Sequence, residues 1–390
     1  MKRWISSSRS GLSSVRCDLR LDSVRFAIPS RSRRQSNSVF RKRPPPGFAG
    51  FERPRLAHVV SLSVVIPATD RPSTLERALA AVARATAGPE EVIVVDEPSE
   101  AGPAAARNLG STRAGGDVLV FVDADVEVHH DVFSRIRAAF DDAGLDAIFG
   151  SYDDDPDAGT LVSDFRNLLH HHVHHQSAGA ATTFWAGLGA VRRDVFLRVG
   201  GFDEHKFPLS SIEDVELGIR LHRAGNRIVL DPRIQGKHLK RWTLAGMTET
   251  DLLRRGVPWL RLMLEDRSHS TALNLGWRHR AGTAASVALA AGLARRKFRL
   301  VAGALGFLVI LDRPLYELLL RRRGSRQAAV GVPLHVVHRL TAAAAVPVAL
   351  LAHALGRLEA TPRSESTVTP LRRSGTHEPE SRRDLREDDE

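Results

Sequence analysis

Three short apolar runs that end in acidic or small polar residues constrain the fold of this chain most. They are LSVVIP at 62–67, EVIVV at 91–95 and DVLVFVDAD at 117–125. Segments with helical apolar spacing separate them, one from Ser73 or Thr74 to Gly88 and one from Pro103 to about Thr112. Strands and helices that alternate in this way predict an α/β fold with a mostly parallel sheet, which binds ligands at the carboxyl ends of its strands.

Acidic residues are expected to meet at that edge of the sheet. Asp123 and Asp125 end the third run, and Asp96 ends the second. Because side chains alternate along a strand, Asp123 and Asp125 should share a side, where their like charges oppose each other unless a cation binds. Mg²⁺ or Mn²⁺ prefers such oxygen ligands and commonly shares them with substrate phosphates. No G-x-G-x-x-G follows the first strand, so a dehydrogenase-type dinucleotide site is not indicated.

The order of these segments resembles family 2 of the glycosyltransferases, whose nucleotide-sugar-binding domain has the GT-A fold. The resemblance covers about residues 60–245. In this sequence the usual Asp-Asp-Gly-Ser is Asp96-Glu97-Pro98-Ser99. The matching segments are SVVIPATDRPSTLERAL, EVIVVDEPSE, GPAAARNLG, GDVLVFVDAD, AGLGAVRRDVFLRVGGFDE and IEDVELGIRLHRAG.

The resemblance implies a role for each matching position. Asp123 and Asp125 are expected to bind Mg²⁺ or Mn²⁺, which would stabilise the negative charge of the departing nucleoside diphosphate. From its position and its basic neighbours, His238 is expected to complete the set of metal ligands or to bind the diphosphate. The residues expected to bind the nucleotide sugar are Pro67, Thr69, Asp96, Arg107, Asp123 and Gly187.

A second acidic segment, SSIEDVELGIRL, supplies the expected catalytic residues Glu213 and Asp214. Ser210 and Glu213 fit a capping box, which leaves Asp214 to face the sugar. On the resemblance, Asp214 is the general base that takes the proton of the acceptor hydroxyl in a single, inverting displacement.

Composition divides the chain into four expected parts. Residues 1–58 carry fourteen Lys or Arg and three acidic residues in a Ser-, Arg- and Pro-rich stretch that predicts a disordered extension. Residues 59–270 are the expected catalytic domain, 271–358 a helical membrane-associated region and 359–390 a disordered charged tail. The net charge of +11 therefore comes from the two ends, while the middle is acidic. That distribution argues against nucleic acid as a partner.

Apolar runs at 281–294, 300–311 and 341–356 alternate with basic clusters, a pattern typical of membrane-surface proteins. Each run is shorter than the ~20 residues of a spanning helix, so a hairpin with a basic turn at the lipid headgroups is expected. A helix over RPLYELLLRRRG at 313–324 is then expected to lie on the membrane surface, and residues 331–356 to form another buried or spanning helix. The acceptor is then a lipid-linked or membrane-proximal glycan, and cell-envelope glycan synthesis fits. The single cysteine, Cys17, suits a reducing compartment. We therefore expect the cell membrane, with the catalytic domain on the cytoplasmic side.

Three further interpretations stay open. The segment NLLHHHVHHQ at 167–176 is expected to be an acceptor-facing or interfacial helix rather than a zinc site. A nucleotidyltransferase on a related fold is one alternative function, although PATDRPSTLE is a poor triphosphate loop. A membrane-anchored nucleotide-sugar-binding protein without catalytic activity is the other.

Overall fold

The computed structural model describes residues 60–99, 101–266 and 276–359. The expected extension at 1–58, with Cys17, and residues 360–390 of the expected tail lie outside this part of the chain. The strands are β1 Leu62–Pro67, β2 Glu91–Val95, β3 Val118–Val122, β4 Val126–Val128, β5 Ala147–Tyr152, β6 Gly179–Ala181, β7 Leu188–Arg192 and β8 Ile228–His238.

Helices cover both faces of the sheet and continue beyond it. They are α1 Leu75–Arg84, α2 Pro103–Arg113, α3 Val132–Phe140, α4 Leu161–Gln176, α5 Arg193–Arg198, α6 Glu213–Arg223, α7 Leu244–Glu249, a π-helical segment Thr250–Gly256, α8 Val257–Asp266, α9 Trp277–Ala294, α10 Phe298–Leu311 and α11 Arg313–Glu359.

The predicted α/β sheet is confirmed, but it is mixed rather than mostly parallel. Its order is β2-β1-β3-β7-β5-β8-β4, with β6 also paired to β8. β1 pairs in parallel with both β2 and β3, as the sequence predicted. The difference lies in β7, which enters between β3 and β5 and runs antiparallel to both. The alternation of strands and helices in the sequence does not reveal that β7 runs in the opposite direction to its neighbours, because that alternation does not specify the direction of each strand.

Both faces of the central strands are buried, which explains their nearly continuous apolar sequences. In β3, Val118, Val120 and Val122 pack into one cluster with residues of α1 and α3. Leu119 and Phe121 point to the other face, into a cluster with residues of α5 and α6. The sheet is therefore held between two helical layers, and its carboxyl edge stays available for a site.

Helix α11 is packed against the α/β part of the chain. Phe165 and Leu168 of α4 share a buried cluster with Leu315 and Leu319 of α11. The first part of α11 was expected to lie on the surface of the membrane, yet its Arg322 forms an ion pair with Asp154. α11 bends at Gly324, whose φ of 81° lies in the left-handed region that favours glycine.

The expected hairpin is present as α9 and α10, joined by a turn that carries the basic cluster at 295–297. Several large apolar side chains of α10 are exposed, among them Phe298 and Ile310 at 75% and 76%. By length and composition, α11 is the one helix of the described residues that could cross a membrane, over Arg313–Leu355.

Candidate active site

The acidic pair lies in a tight turn between β3 and β4, not in the strand. The amide of Asp123 donates to the Gly187 carbonyl at 3.0 Å, and the amide of Val126 donates to the Asp123 carbonyl at 2.9 Å. The Asp125 carbonyl accepts from the amide of Leu239 at 2.8 Å. The alternation of side chains along a strand therefore does not explain why the two carboxylates lie close together. Backbone hydrogen bonds hold this turn in place, and the turn brings the two carboxylates together.

Arg107 joins the two acidic segments. This buried side chain of α2 donates from Nη2 to Asp123 Oδ1 at 2.6 Å and from Nη1 to Glu213 Oε1 at 3.0 Å. Burial raises the pKa of Asp123 above its ordinary value and the charge of Asp125 adds to this effect, while the charge of Arg107 opposes it. The carboxylates of Asp123 and Glu213 are therefore held together by the buried guanidinium of Arg107.

His238, at the end of β8, faces Asp125. Its ring stacks on Tyr152 with centroids 4.1 Å apart, and its Nε2 lies 3.4 Å from Asp125 Oδ2. Although burial raises the pKa of Asp125, the adjacent His238 and the charge of Lys240 lower it below its ordinary value.

Asn167 of α4 sets the direction of the imidazole. Its Oδ1 lies 2.6 Å from His238 Nδ1. With the amide placed in this way, Nδ1 carries the hydrogen and Nε2 presents a lone pair toward Asp125. Two electron-pair donors that face each other suit a cation between them. No three His, Cys, Asp or Glu side chains form a ready-made metal site in the described ranges, so an ion here would need further ligands from a substrate.

A polar cavity of about 390 Å³ opens over these groups. Asp123, Asp125 and His238 line it. Cationic side chains also line it, namely Arg166, Lys240, Arg241, Arg254 and Arg255. Carboxylates with a surrounding set of cations suit an anion that is bound together with a metal ion.

Helix α6 begins at Glu213, so the capping-box interpretation of Ser210 and Glu213 is wrong. Glu213 Oε2 instead accepts from the amide of Ser211 at 2.8 Å, and Oε1 accepts from Arg107. Both oxygens of this buried carboxylate therefore accept hydrogen bonds that differ from those of a capping box. The reason is that the helix starts later than the capping box requires.

Asp214 has a different environment from that of Glu213. Its Oδ2 accepts from the amide of Ala186 at 3.2 Å and its Oδ1 from the amide of Val215 at 2.8 Å. Burial, followed by the charge of Glu213, raises the pKa of Asp214 to about 6. A carboxylate with this pKa is well matched to take up a proton near neutral pH.

Asp214 lines a second cavity, of about 610 Å³ and mainly apolar. Arg166, His170, Ser211 and Arg255 line both this cavity and the polar one, so the two adjoin. Burial lowers the pKa of His170 well below its ordinary value, which keeps its ring neutral. The geometry thus places Asp214 beside the boundary between a polar and an apolar chamber.

The remaining predicted residues lie near the edge of the sheet but outside both cavity linings. Pro67 pairs with Val95 at the ends of β1 and β2, and the buried Thr69 donates to the Ala101 carbonyl at 2.7 Å. Asp96 is exposed directly after β2. Gly187 is buried beneath Trp185, and a Cβ atom at this position would lie 2.5 Å from that indole.

Sequence reasoning missed Tyr152, Asn167, Arg166 and Trp185. Tyr152 and Trp185 form an edge-to-face pair with ring centroids 4.9 Å apart, and Trp185 lines the apolar cavity. The only sequence signal for them was the His-rich helix α4, which carries Arg166 and Asn167 beside its histidines and was expected to face the acceptor.

Part of this site lies in a segment that matches the model of a known family. Residues 97–200 match the model of glycosyl transferase family 2. This segment includes α2, the Asp123–Asp125 turn and β7. This segment is therefore similar to family 2 glycosyltransferases, in agreement with the family and the enzyme class expected from the sequence.

Solved structures show more distant similarity. One is GalNAc-T7 with UDP, GalNAc and Mn²⁺, at 17% identity and a TM-score of 0.40 over 53% of this chain and 48% of that chain. The present chain thus spans about half the length of that structure. Another is the mannosyltransferase PcManGT from Pyrobaculum calidifontis in complex with GDP-Man and Mn²⁺, at 14% identity and a TM-score of 0.44 over 75% and 87%. No curated protein matched the sequence.

Proposed function

We propose that this protein transfers a sugar from a nucleotide-sugar donor to a hydroxyl group of a membrane-presented acceptor, with inversion at the anomeric carbon. The observation that carries the proposal is the link through Arg107. This side chain joins Asp123 in the polar cavity to Glu213, the immediate neighbour of Asp214. One buried contact thereby fixes the donor-side carboxylates relative to the expected base.

The donor diphosphate occupies the polar cavity in this proposal. Asp125 and His238, with Asp123 beside them, would hold Mg²⁺ or Mn²⁺, and the cationic Lys240 and Arg241 of the same cavity would bind the phosphates. The bound metal supplies positive charge that stabilises the departing nucleoside diphosphate. Pro67, Thr69 and Asp96 bind the nucleoside portion of the donor along the carboxyl edge of β1 and β2.

Asp214 acts as the general base. It takes the proton from the acceptor hydroxyl while that oxygen forms a bond to the anomeric carbon. The bond from this carbon to the diphosphate oxygen breaks, and its electron pair leaves with the nucleoside diphosphate. Glu213 positions Asp214 instead of sharing its role, since its carboxylate is held by the guanidinium of Arg107 and lines neither cavity, whereas Asp214 lines the apolar one.

The helical region supports a membrane surface as the place of this reaction. The exposed apolar side chains of α10 and the basic turn before it suit insertion into the headgroup region of a bilayer. We assign the catalytic domain to the cytoplasmic side of the cell membrane, where the single Cys17 fits a reducing environment. A lipid-linked or membrane-proximal glycan acceptor follows from that placement.

The decisive experiment is a nucleotide-sugar screen with the detergent-solubilised full chain. Binding and slow hydrolysis are measured with Mn²⁺, with Mg²⁺ and with EDTA. The variants are Asp125→Ala and Asp214→Asn, with Asp194→Asn as a matched control because Asp194 is exposed on α5. We expect one nucleotide to bind only with metal, Asp125→Ala to lose binding, and Asp214→Asn to keep binding but lose turnover.

Other outcomes select the alternatives. Metal-dependent binding without turnover in the unaltered chain would support an anchored binding protein. Release of pyrophosphate from a nucleoside triphosphate would instead indicate a nucleotidyltransferase. No metal-dependent binding of any nucleotide sugar would refute the proposal.

A further inference from the structure

The apolar cavity beside Asp214 is built jointly by the catalytic domain and the C-terminal helices. Residues of α4, α6, α8, α9 and α11 line it, and its volume of about 610 Å³ lies within the range of small-molecule sites, roughly 300–1,000 Å³. Gly256, at the end of the π-helical segment, approaches α11 so closely that a Cβ atom there would lie 2.8 Å from the Ala345 side chain. The helical region therefore forms part of the wall of this chamber.

Most of the lining is apolar, with Leu169, Val173, Leu260 and Met263 among its members. Binding of a sugar chain in a chamber of this kind would be weak, because its hydroxyls would lose their hydrogen bonds to water without finding new partners. It favours a hydrocarbon body, because each buried methylene is stabilised by about 0.8 kcal/mol.

A few polar atoms interrupt the apolar lining. His170 Nδ1, Trp259 Nε1 and Thr283 Oγ1 are buried and have no hydrogen-bond partner among the described residues. Buried polar groups usually find a partner, so three cavity-lining residues with unpaired polar atoms are compatible with a ligand that carries a few polar groups. Arg166 and Arg255, which line both chambers, add positive charge where the two meet.

We infer that this cavity binds the apolar body of an amphiphilic acceptor, so that the sugar is added to a hydroxyl close to a hydrocarbon chain. The inference rests on the proposed function and narrows its acceptor. Asp214 lines the same chamber, so the attacking oxygen lies within reach of the base only if the hydrocarbon begins near that oxygen. The distal end of a long glycan does not meet this condition.

The bonds that form and break in this transfer are those described for the proposed function. The amphiphile's hydroxyl loses its proton to Asp214, its oxygen bonds to the anomeric carbon, and the nucleoside diphosphate leaves with the electron pair of the broken bond. The product is a glycolipid whose sugar lies next to its apolar part. The reaction that consumes it would extend or export that glycolipid.

The test uses the detergent-solubilised full chain and brominated primary alcohols of increasing chain length. Bromine quenches indole fluorescence on contact, and Trp185 and Trp259 both line the cavity. We expect affinity to rise by about fourfold per added methylene until the chamber is full. Trp259→Phe identifies the responding indole and should remove a large part of the quenching.

A matched pair of variants on α11 separates the cavity from the micelle. Ala343 lines the chamber, whereas its neighbour Ala344 is exposed and does not line it. Ala343→Phe should weaken binding of the long alcohols by about tenfold, the loss expected when roughly two methylenes can no longer be buried. Ala344→Phe should bind as the unaltered chain does, and equal unfolding temperatures of the two variants show that folding is intact.

Donor hydrolysis by water is measured on the same samples. The expected result is that Ala343→Phe keeps metal-dependent hydrolysis but loses transfer to the long alcohols. Affinity that is independent of chain length, or equal in the Ala343 and Ala344 variants, would overturn the inference while leaving the proposed function intact. Chain-length-dependent binding without any donor hydrolysis would refute the proposed function and leave the apolar site standing.

Discussion

Arg107 lies between Asp123 and Glu213, 2.6 Å from an oxygen of the first and 3.0 Å from an oxygen of the second. The two carboxylates belong to elements 90 residues apart in the sequence, the turn after β3 and the first turn of α6. One guanidinium thereby fixes the spacing between this turn and the start of α6, the two segments to which the proposed function assigns the donor and the base.

Removal of that guanidinium should destabilise the fold. Arg107→Met leaves the nearly fully buried Glu213 without its cation, and loss of one partner of a buried pair typically costs about 3–5 kcal/mol. Chemical denaturation of the full chain measures the change. Arg113→Met on the exposed end of the same helix is the control, and similar stability of both variants would contradict the assigned role.

Activity should fall in acid through the protonation of Asp214. A base must be unprotonated to act, and the pKa of Asp214 is raised to about 6 by burial and by the charge of Glu213. The rate constant kcat/KM should therefore be constant above about pH 7 and decrease roughly tenfold per pH unit below 6. The measurement is a pH–rate profile with saturating metal. Asp214→Asn should reduce kcat by about 10²–10⁴-fold and abolish this acid limb, and an unchanged limb would assign it to another group.

The stability of the helical region should depend on pH through Asp251. This buried carboxylate in the π-helical segment contacts Arg166 at 2.7 Å and His338 at 2.7 Å. Although burial raises its pKa, these partners lower it from 3.8 to about 2. Because the pKa is depressed in the folded state, the contribution of about 2 kcal/mol is present above pH 4 and is lost as the pH falls toward 2.

Asp251→Asn tests this contact. Unfolding free energies at neutral pH should decrease for this variant and remain unchanged for Glu249→Gln, whose side chain is mostly exposed. Equal losses in the two variants would show that the contact between α4, the π-helical segment and α11 contributes little.

Membrane binding should depend on the exposed face of α10. Phe298→Glu combined with Ile310→Glu places charges where apolar side chains are exposed at 75% and 76%. Flotation with anionic vesicles should show loss of binding, and high salt should weaken binding of the unaltered chain because each basic residue at the surface contributes about 1 kcal/mol. Leu209→Glu, at a 64% exposed position of the catalytic domain, is the control and should float normally.

The acidic residues of the site could be predicted because each belongs to a local motif. Asp123 and Asp125 follow an apolar run, and Asp214 begins an acid-rich helix. The partners of these residues could not be predicted in this way. Asn167 reaches His238 from 71 residues away, and this contact depends on how α4 packs against β8. Local sequence patterns carry no information on such packing.

The basic cluster at 321–323 is a second case in which the sequence did not reveal the contacts of its residues. Its charge suggested lipid headgroups, whereas Arg323 forms ion pairs with Asp155 and Asp164 of the catalytic domain. A run of arginines has the same sequence signature beside a membrane and beside a carboxylate cluster. Only the position of α11 against α4 distinguishes the two.

The shared cluster of α4 and α11 has a consequence for anyone who wishes to shorten this protein. A fragment that ends before α9 would keep the residues around Asp125 but would expose Phe165 and Leu168 to water and open one side of the chamber beside Asp214. Under the proposed function, such a fragment could still bind a nucleotide, but it would lack the complete chamber that selects the acceptor. The region after residue 276 therefore completes the wall of that chamber, and under the proposed function it would serve the acceptor site as well as anchor the protein.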